Sequence, residues 1–170
     1  MSGTGGIISK GRWLIQDWDP DDVPTDPDVL LEAYEKGHGR MEDNLITDRG
    51  LREMARRNLG QSTTWNGRIG FGSSNTPGPL PSQNALIRPR LAFEFTETPS
   101  PRGTTERYVF TFDGDTFGTT LNRNRVGEMG IHTRPGTGLI SRVIFDPILV
   151  LDVNRTYTVL ILVTHKAVSA

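Results

Sequence analysis

Hydrophobic and polar residues alternate along much of the second half of the chain, and this alternation predicts β-strands. The two clearest runs, Leu91–Phe95 and Tyr108–Phe112, flank a Thr-Pro-Ser-Pro-Arg-Gly turn, which predicts a β-hairpin. Tyr157–Val163 is apolar on both faces, so we expect that strand to be central in a sheet or covered by another subunit. That strand is predicted over residues 156–165. Similar runs predict further strands at residues 12–18, 68–72, 125–132 and 139–145.

Two segments in the first half carry hydrophobic residues at helical spacing. The segment Val29–Lys36 predicts a short helix, for which Asp26 or Asp28 is the capping residue. The segment from Thr47 to Leu59 predicts a longer helix, with Thr47 at its N-cap position.

The glycine and proline content indicates a β-rich fold with many turns. The 170-residue chain contains 19 glycines and 11 prolines, and they are spread along its length. We therefore expect a mainly β protein, an antiparallel β-sandwich-like module with one packed helix in its N-terminal half. Residues 44–170 are expected to form this module. Residues 1–43 are expected to form an extended N-terminal arm, with a short strand and helix, that serves attachment and assembly.

Charge and composition exclude several classes of function. The net charge is only −1, which argues against a nucleic-acid-binding surface. The chain has no cysteine, so disulfides and cysteine metal sites are excluded. No run approaches the roughly 18 apolar residues of a membrane span, and the N-terminus lacks the features of a signal peptide. We expect synthesis in the cytoplasm, no membrane insertion and no cofactor.

The segment after the first predicted strand is acidic and rich in proline. A calcium-binding loop needs oxygen ligands at positions one, three, five and twelve, which here are Asp17, Asp19, Asp21 and Asp28. Asp22, however, stands where that loop needs glycine, and three prolines interrupt the segment. A solvated acidic turn is therefore the preferred interpretation, and a weak calcium site is the alternative.

Glu128 is the one carboxylate that the alternation places in the core. It follows Val126 by two positions, so it points inward if Val126 does, and a buried carboxylate needs a partner. We expect a buried ion pair of Glu128 with Arg142 or Arg125. The alternative is a catalytic acid, but the sequence implies no second carboxylate nearby, and no enzymatic activity is predicted.

The three histidines do not indicate a metal or catalytic site. His38, His132 and His165 are far apart in sequence, and none belongs to a metal-ligand pair such as His-x-x-x-His. We expect them to be surface or partly packed side chains.

Aromatic and β-branched residues near both ends of the chain predict surfaces for assembly. An apolar strand with free surface is a common interaction site. For the two N-terminal tryptophans the alternative is that they cover the core. Trp65 is the candidate contact for a saccharide ligand. The predicted interface residues are Trp13, Ile15, Trp18, Tyr157, Val159 and Ile161.

Five short segments form an ordered set of motifs: Asn44–Leu51, Ile69–Gly72, Glu128–Ile131, Arg142–Ile148 and Thr156–Val163. This set resembles a broad group of phage tail-fibre and virion structural proteins. The first motif is similar to their N-L-I-T-x-x-G-L opening, and the second to their I-G-x-G strand before a Thr/Pro-rich loop. The third is similar to an E-x-G-I element, the fourth to an R-x-x-F-D-P-x-I stretch, and the fifth to their closing strand.

The resemblance implies a β-sandwich-like module carried on tailed-phage particles, often within trimeric fibres, and without enzymatic activity. We therefore expect a virion protein, made in the host bacterial cytoplasm, that forms a homotrimer and docks on other virion proteins. A tail-side position in a fibre, collar or baseplate is the first hypothesis. A capsid decoration or head-fibre protein is the second, and a carbohydrate-binding module for a host surface glycan is the third.

Overall fold

The structure, a computed structural model, describes residues 6–58, 65–75, 86, 89–97, 100–102, 104–117, 124–133 and 138–168. Over these residues the chain is mainly β with two helices, as the sequence predicts. In chain order the elements are β1 (Gly6–Trp18), α1 (Pro27–Glu35), β2 (Arg40–Ile46), α2 (Asp48–Asn58), β3 (Trp65–Gly72), β4 (Pro89–Glu97), β5 (Ser100–Arg102), β6 (Thr105–Asp113), β7 (Arg125–Thr133), β8 (Leu139–Val150) and β9 (Thr156–Val168).

The strands form one antiparallel sheet that curls back on itself. Their order across the sheet is β4-β3-β7-β8-β2-β1-β9-β6-β5. One hydrophobic core nevertheless unites Ile69 of β3, Phe145 of β8 and Tyr108 of β6, which are far apart in this order. Such strands share a core only if the two halves of the sheet face each other. This is the sandwich-like arrangement that the sequence predicts.

A second hydrophobic cluster covers the other face of β1 and β9. Leu14 of β1 and Leu160 of β9 pack with Leu30 of α1, and all three are buried. Gln16 Nε2 donates to the carbonyl oxygens of Leu30, at 3.0 Å, and of His38, at 2.8 Å, which ties the helix and the segment after it to β1. The doubly apolar β9 is therefore central in the sheet, and the chain's own helix covers part of its second face.

Both helices begin next to capping residues that the sequence predicts. At the start of α1, the Asp26 carboxylate accepts a hydrogen bond from the Asp28 backbone N–H at 2.8 Å. At the start of α2, the Thr47 hydroxyl oxygen accepts one from the Gly50 backbone N–H at 3.1 Å. These contacts satisfy backbone donors that have no partner within the helix. Helix α2 then packs against β2 and β8.

The sequence predicts a hairpin between Leu91–Phe95 and Tyr108–Phe112, and this prediction is wrong. The first run lies in β4 and pairs with β3, whereas the second lies in β6 and pairs with β9. The small hairpin that does form joins the three-residue strand β5 to β6. Alternation indicates that the two faces of a strand differ, but it does not indicate which strand lies beside it.

The N-terminal segment belongs to the sheet, whereas the sequence predicts an extended arm over residues 1–43. All 13 residues of β1 pair with β9, from Gly6 opposite Val168 to Trp18 opposite Thr156. Strand β2 pairs with both β1 and β8 and so links the two halves of the sheet. Residues 6–18 and 40–46 are therefore part of the folded sheet, and only their exposed surface is open to another subunit.

Candidate functional site

Residues of the first sequence motif contact β8 where β2 leads into α2. Asn44 Nδ2 donates to Ser141 Oγ, although the two residues are 97 positions apart in sequence. The Thr47 backbone N–H donates to the Ile140 carbonyl oxygen at 2.8 Å, and the Thr47 hydroxyl lies 3.0 Å from the same oxygen. Gly50 packs so closely that a Cβ atom there would lie 2.3 Å from that carbonyl oxygen. We call this group of residues, with Glu128 and Arg142 described next, the motif cluster.

Glu128 and Arg142 form a buried ion pair between β7 and β8. Arg142 Nε donates to Glu128 Oε2 at 2.8 Å, and neither side chain has any exposed surface. Arg125, the other partner that the sequence suggests, is exposed at the start of β7. Removing either partner would leave the other charge buried without compensation, and a carboxylate that is sealed from water is poorly placed to exchange protons with a substrate.

The register of β8 changes beside this pair. Val126 of β7 lies opposite Leu149, but Glu128 lies opposite Ile144, so four residues of β8 stand against Gly127 alone and form a bulge. The bulge holds the Phe-Asp-Pro-Ile part of the fourth motif. A bulge bends the strand that contains it and changes the direction of its side chains. The third and fourth motifs therefore meet at this bend.

Five of the six predicted interface residues lie in the chain's own core, which corrects their assignment as contacts with another subunit. The pairing of β1 with β9 places them on the face that the curled sheet encloses, so their side chains are buried within one chain. Trp18 is half-buried, donates through Nε1 to Thr158 Oγ1 at 2.9 Å, and packs on His38. For Trp65, the backbone lies in β3, and its side chain is outside the described part. The five core residues are Trp13, Ile15, Tyr157, Val159 and Ile161.

The acidic segment is not arranged around one centre. Asp17 accepts from Arg155 Nε at 3.2 Å, and Asp28 accepts from Arg107 Nη1 at 2.8 Å. Asp19 accepts from the backbone N–H of Asp21 at 3.2 Å. Within the described ranges, no group of three His, Cys, Asp or Glu side chains is placed to hold a metal ion.

Polar side chains of β1, β9 and β6 form a cross-strand cluster that the sequence analysis missed. Ser9 Oγ and His165 Nδ1 are 2.9 Å apart, and His165 Nε2 lies 3.7 Å from Glu106 Oε2. That carboxylate oxygen accepts from the Tyr108 hydroxyl at 2.9 Å. The order hydroxyl, imidazole, carboxylate is that of a hydrolase triad, but His165 Nε2 is buried and beyond hydrogen-bond distance of the carboxylate. The arrangement therefore serves as a polar link between strands.

The outer face of the sheet carries a basic groove beyond the part that α1 covers. Across β1 and β9, Lys10 lies opposite Thr164, and Arg12 lies opposite Leu162. The groove encloses about 500 Å³. We call this cavity the basic groove. The residues that line it are Lys10, Arg12, Asp43, Leu162, Thr164 and Lys166.

The charges of the basic groove are exposed and unbalanced. Lys10, Arg12 and Lys166 carry three positive charges, and Asp43 carries one negative charge. None of the four forms an ion pair within the described residues, even though Arg12 lies opposite Asp43 across β1 and β2. The groove could not be located from the sequence, because its residues come from three strands whose pairing the sequence does not reveal.

Neither helix in the part of the chain that the structure describes is long and apolar enough to cross a membrane. Comparison with protein-family models, with curated proteins and with solved structures finds no match to this chain.

Proposed function

We propose that the chain is a non-enzymatic structural component of a tailed-phage particle. It acts on the tail side, in a fibre, collar or baseplate, by self-association and by docking on other virion proteins. The order of its sequence motifs, which resembles that of phage tail-fibre and virion structural proteins, supports this assignment.

The motif cluster is the observation that carries the proposal. Leu45 of the first motif lies opposite Arg142 of the fourth motif, although the two are far apart in sequence, and Arg142 forms an ion pair with Glu128 of the third motif. The third and fourth motifs lie side by side in β7 and β8. Together the three motifs cap a helix, seat it on the sheet, bury an ion pair and set a bulge. Motifs that maintain one scaffold in this way are signatures of a fold rather than of a reaction. A structural role of this kind is what a particle component requires.

The location is tested by immunogold electron microscopy of intact particles. The antibody is raised against the recombinant chain, and peptides of the chain are sought by mass spectrometry in gradient-purified particles. We expect peptides in the particle and label at the tail or neck. The control is the same antibody on particles opened by mild denaturant, which shows whether the epitope is accessible.

Label spread over the head would replace the tail-side position by the capsid decoration or head-fibre hypothesis. Particles without peptides of the chain, and without label after opening, would overturn the assignment to a virion. A groove-dependent affinity for host surface glycans would favour the carbohydrate-binding alternative.

A further inference from the structure

The basic groove carries an excess of positive charge that an anionic partner would complement. Lys10 and Arg12 are two positions apart on the same strand face, so their Cα atoms lie about 7 Å apart. Lys166 extends the same positive face along β9. Like charges at this spacing repel one another, and the single Asp43 does not balance them. An occupant with several negative charges would relieve this repulsion.

The chain itself carries a matching anionic element, the acidic turn, which comprises residues 19–22. All four of its residues are exposed, and its carboxylates are those of Asp19, Asp21 and Asp22. None of the three forms an ion pair within the described residues, in contrast to Asp17 and Asp28. A hydrogen bond from the Asp22 N–H to the Asp19 carbonyl oxygen, at 2.9 Å, closes the turn. The turn therefore presents its charges in a defined shape.

The groove and the turn cannot meet within one molecule. Lys10 and Asp19 are separated by nine residues, nearly all in the extended strand β1, which corresponds to about 30 Å. The strand is held by β2 on one side and by β9 on the other, so it cannot fold back. The two complementary elements can therefore meet only between two molecules.

We propose that the basic groove of one subunit binds the acidic turn of a second copy of this chain. The resulting contact joins two different surfaces, and such head-to-tail contacts close into rings when the rotation between subunits allows it. This inference rests on the proposed function and deepens it, because it assigns the surfaces through which the particle component self-associates. A trimeric ring is one closed form of this contact.

The test is a charge swap followed by analytical ultracentrifugation of the full chain. One variant reverses the groove, Lys10→Glu with Lys166→Glu, and a second reverses the turn, Asp21→Lys with Asp22→Lys. A third combines all four substitutions, so its net charge equals that of the natural chain. At about 20 mM salt, where screening is weak, we expect the dissociation constant to rise at least about tenfold in each of the first two variants. The combined variant should regain association.

Matched controls place the same charge changes elsewhere on the surface. Arg52→Glu with Arg125→Glu equals the groove variant in net charge, and Glu35→Lys with Asp115→Lys equals the turn variant. All four positions are exposed. Both controls should associate like the natural chain. Circular dichroism and thermal unfolding confirm that each variant is folded before its association is compared.

Three results would overturn the inference. The first is a natural chain that stays monomeric at every concentration at low salt. The second is that both charge-reversal variants associate like their controls, and the third is that the combined variant does not regain association. Binding of an anionic polysaccharide that the groove reversal abolishes, with association unaffected by the turn reversal, would likewise assign the groove to another partner. These results leave the location on the particle untouched, since that is decided by microscopy and mass spectrometry.

Discussion

Phe71 of β3 and Phe112 of β6 contact each other edge to face, with ring centroids 5.1 Å apart. The two strands are six places apart in the sheet, so their backbones would be about 29 Å apart if the sheet were flat. Phe117 contacts both rings, at 4.8 and 5.5 Å. This aromatic group therefore brings the two halves of the curled sheet together.

Removing either ring should weaken the closure of the sheet. We expect Phe71→Leu and Phe112→Leu each to lower the free energy of unfolding by about 1–3 kcal/mol. The double variant should lose less than the sum, with a coupling of about 0.5–1.5 kcal/mol from the ring contact. Urea unfolding of the four proteins measures this coupling. As a control, Phe112→Leu with Leu30→Ala, on opposite faces of the sheet, should be additive within about 0.5 kcal/mol. Additive losses at Phe71 and Phe112 would contradict the contact.

Removing one partner of the buried ion pair should lower the free energy of unfolding strongly, whereas replacing both partners should lower it little. Glu128→Gln leaves Arg142 buried without its counter-charge, so we expect the free energy of unfolding to fall by about 3–5 kcal/mol. The double variant Glu128→Leu with Arg142→Met removes both charges and should recover most of this loss. Chemical denaturation measures both effects. Arg125→Ala, which removes an exposed guanidinium nearby, is the control and should change stability by less than about 0.5 kcal/mol. A Glu128→Gln protein of natural stability would refute the structural role.

The substitution Gly50→Ala tests whether α2 packs closely on β8. Helix propensity alone predicts that it raises the free energy of unfolding, whereas the close packing predicts that it lowers it. In an isolated helix, alanine is better than glycine by about 1 kcal/mol. In this fold the new Cβ atom would lie 2.3 Å from the Ile140 carbonyl oxygen, which is backbone and cannot move aside alone. We therefore expect Gly50→Ala to lower the free energy of unfolding by about 1–3 kcal/mol. Thermal or urea unfolding checks the sign, with Arg52→Ala on the exposed face of the same helix as control. A gain in stability would show that the helix is not seated in this way.

Tyr157 should make the fold sensitive to alkaline pH. Burial raises the pKa of the Tyr157 phenol above its ordinary value of 10.0, and the charges of Asp17 and Asp152 act in the same direction. The unfolded chain therefore loses this proton at a lower pH than the folded chain does. The stabilisation from the neutral phenol is complete below about pH 10 and is lost as the pH rises through the pKa of the folded state.

Tyrosinate absorbance and urea unfolding at increasing pH measure this effect. Tyr157→Phe should show a shallower loss of stability above about pH 10 than the natural chain. Titration of the urea-unfolded protein provides the reference for the ordinary phenol. Identical alkaline slopes in the two proteins would mean that Tyr157 ionises equally in the folded and unfolded states.

Residues close together in sequence specify the local elements of this protein. The caps at Asp26 and Thr47, the two helices and the positions of most strands follow from residues within a few positions of one another. The inward position of Glu128 likewise follows from strand alternation. The two apolar faces of Tyr157–Val163 indicated a strand that is either central in the sheet or covered by another subunit, and the structure shows the first of these.

Which strands lie side by side depends on contacts that appear only in the complete fold. Strand alternation is the same whatever the neighbour is, so it could not show that β4 pairs with β3, that β6 pairs with β9, or that β1 is central. It left the choice between Arg142 and Arg125 open for the same reason. Pairing is selected by the summed burial and hydrogen bonding of the whole sheet, which depends on contacts between residues far apart in sequence. The basic groove and the Ser9–His165 link exist only once that pairing and its register are set.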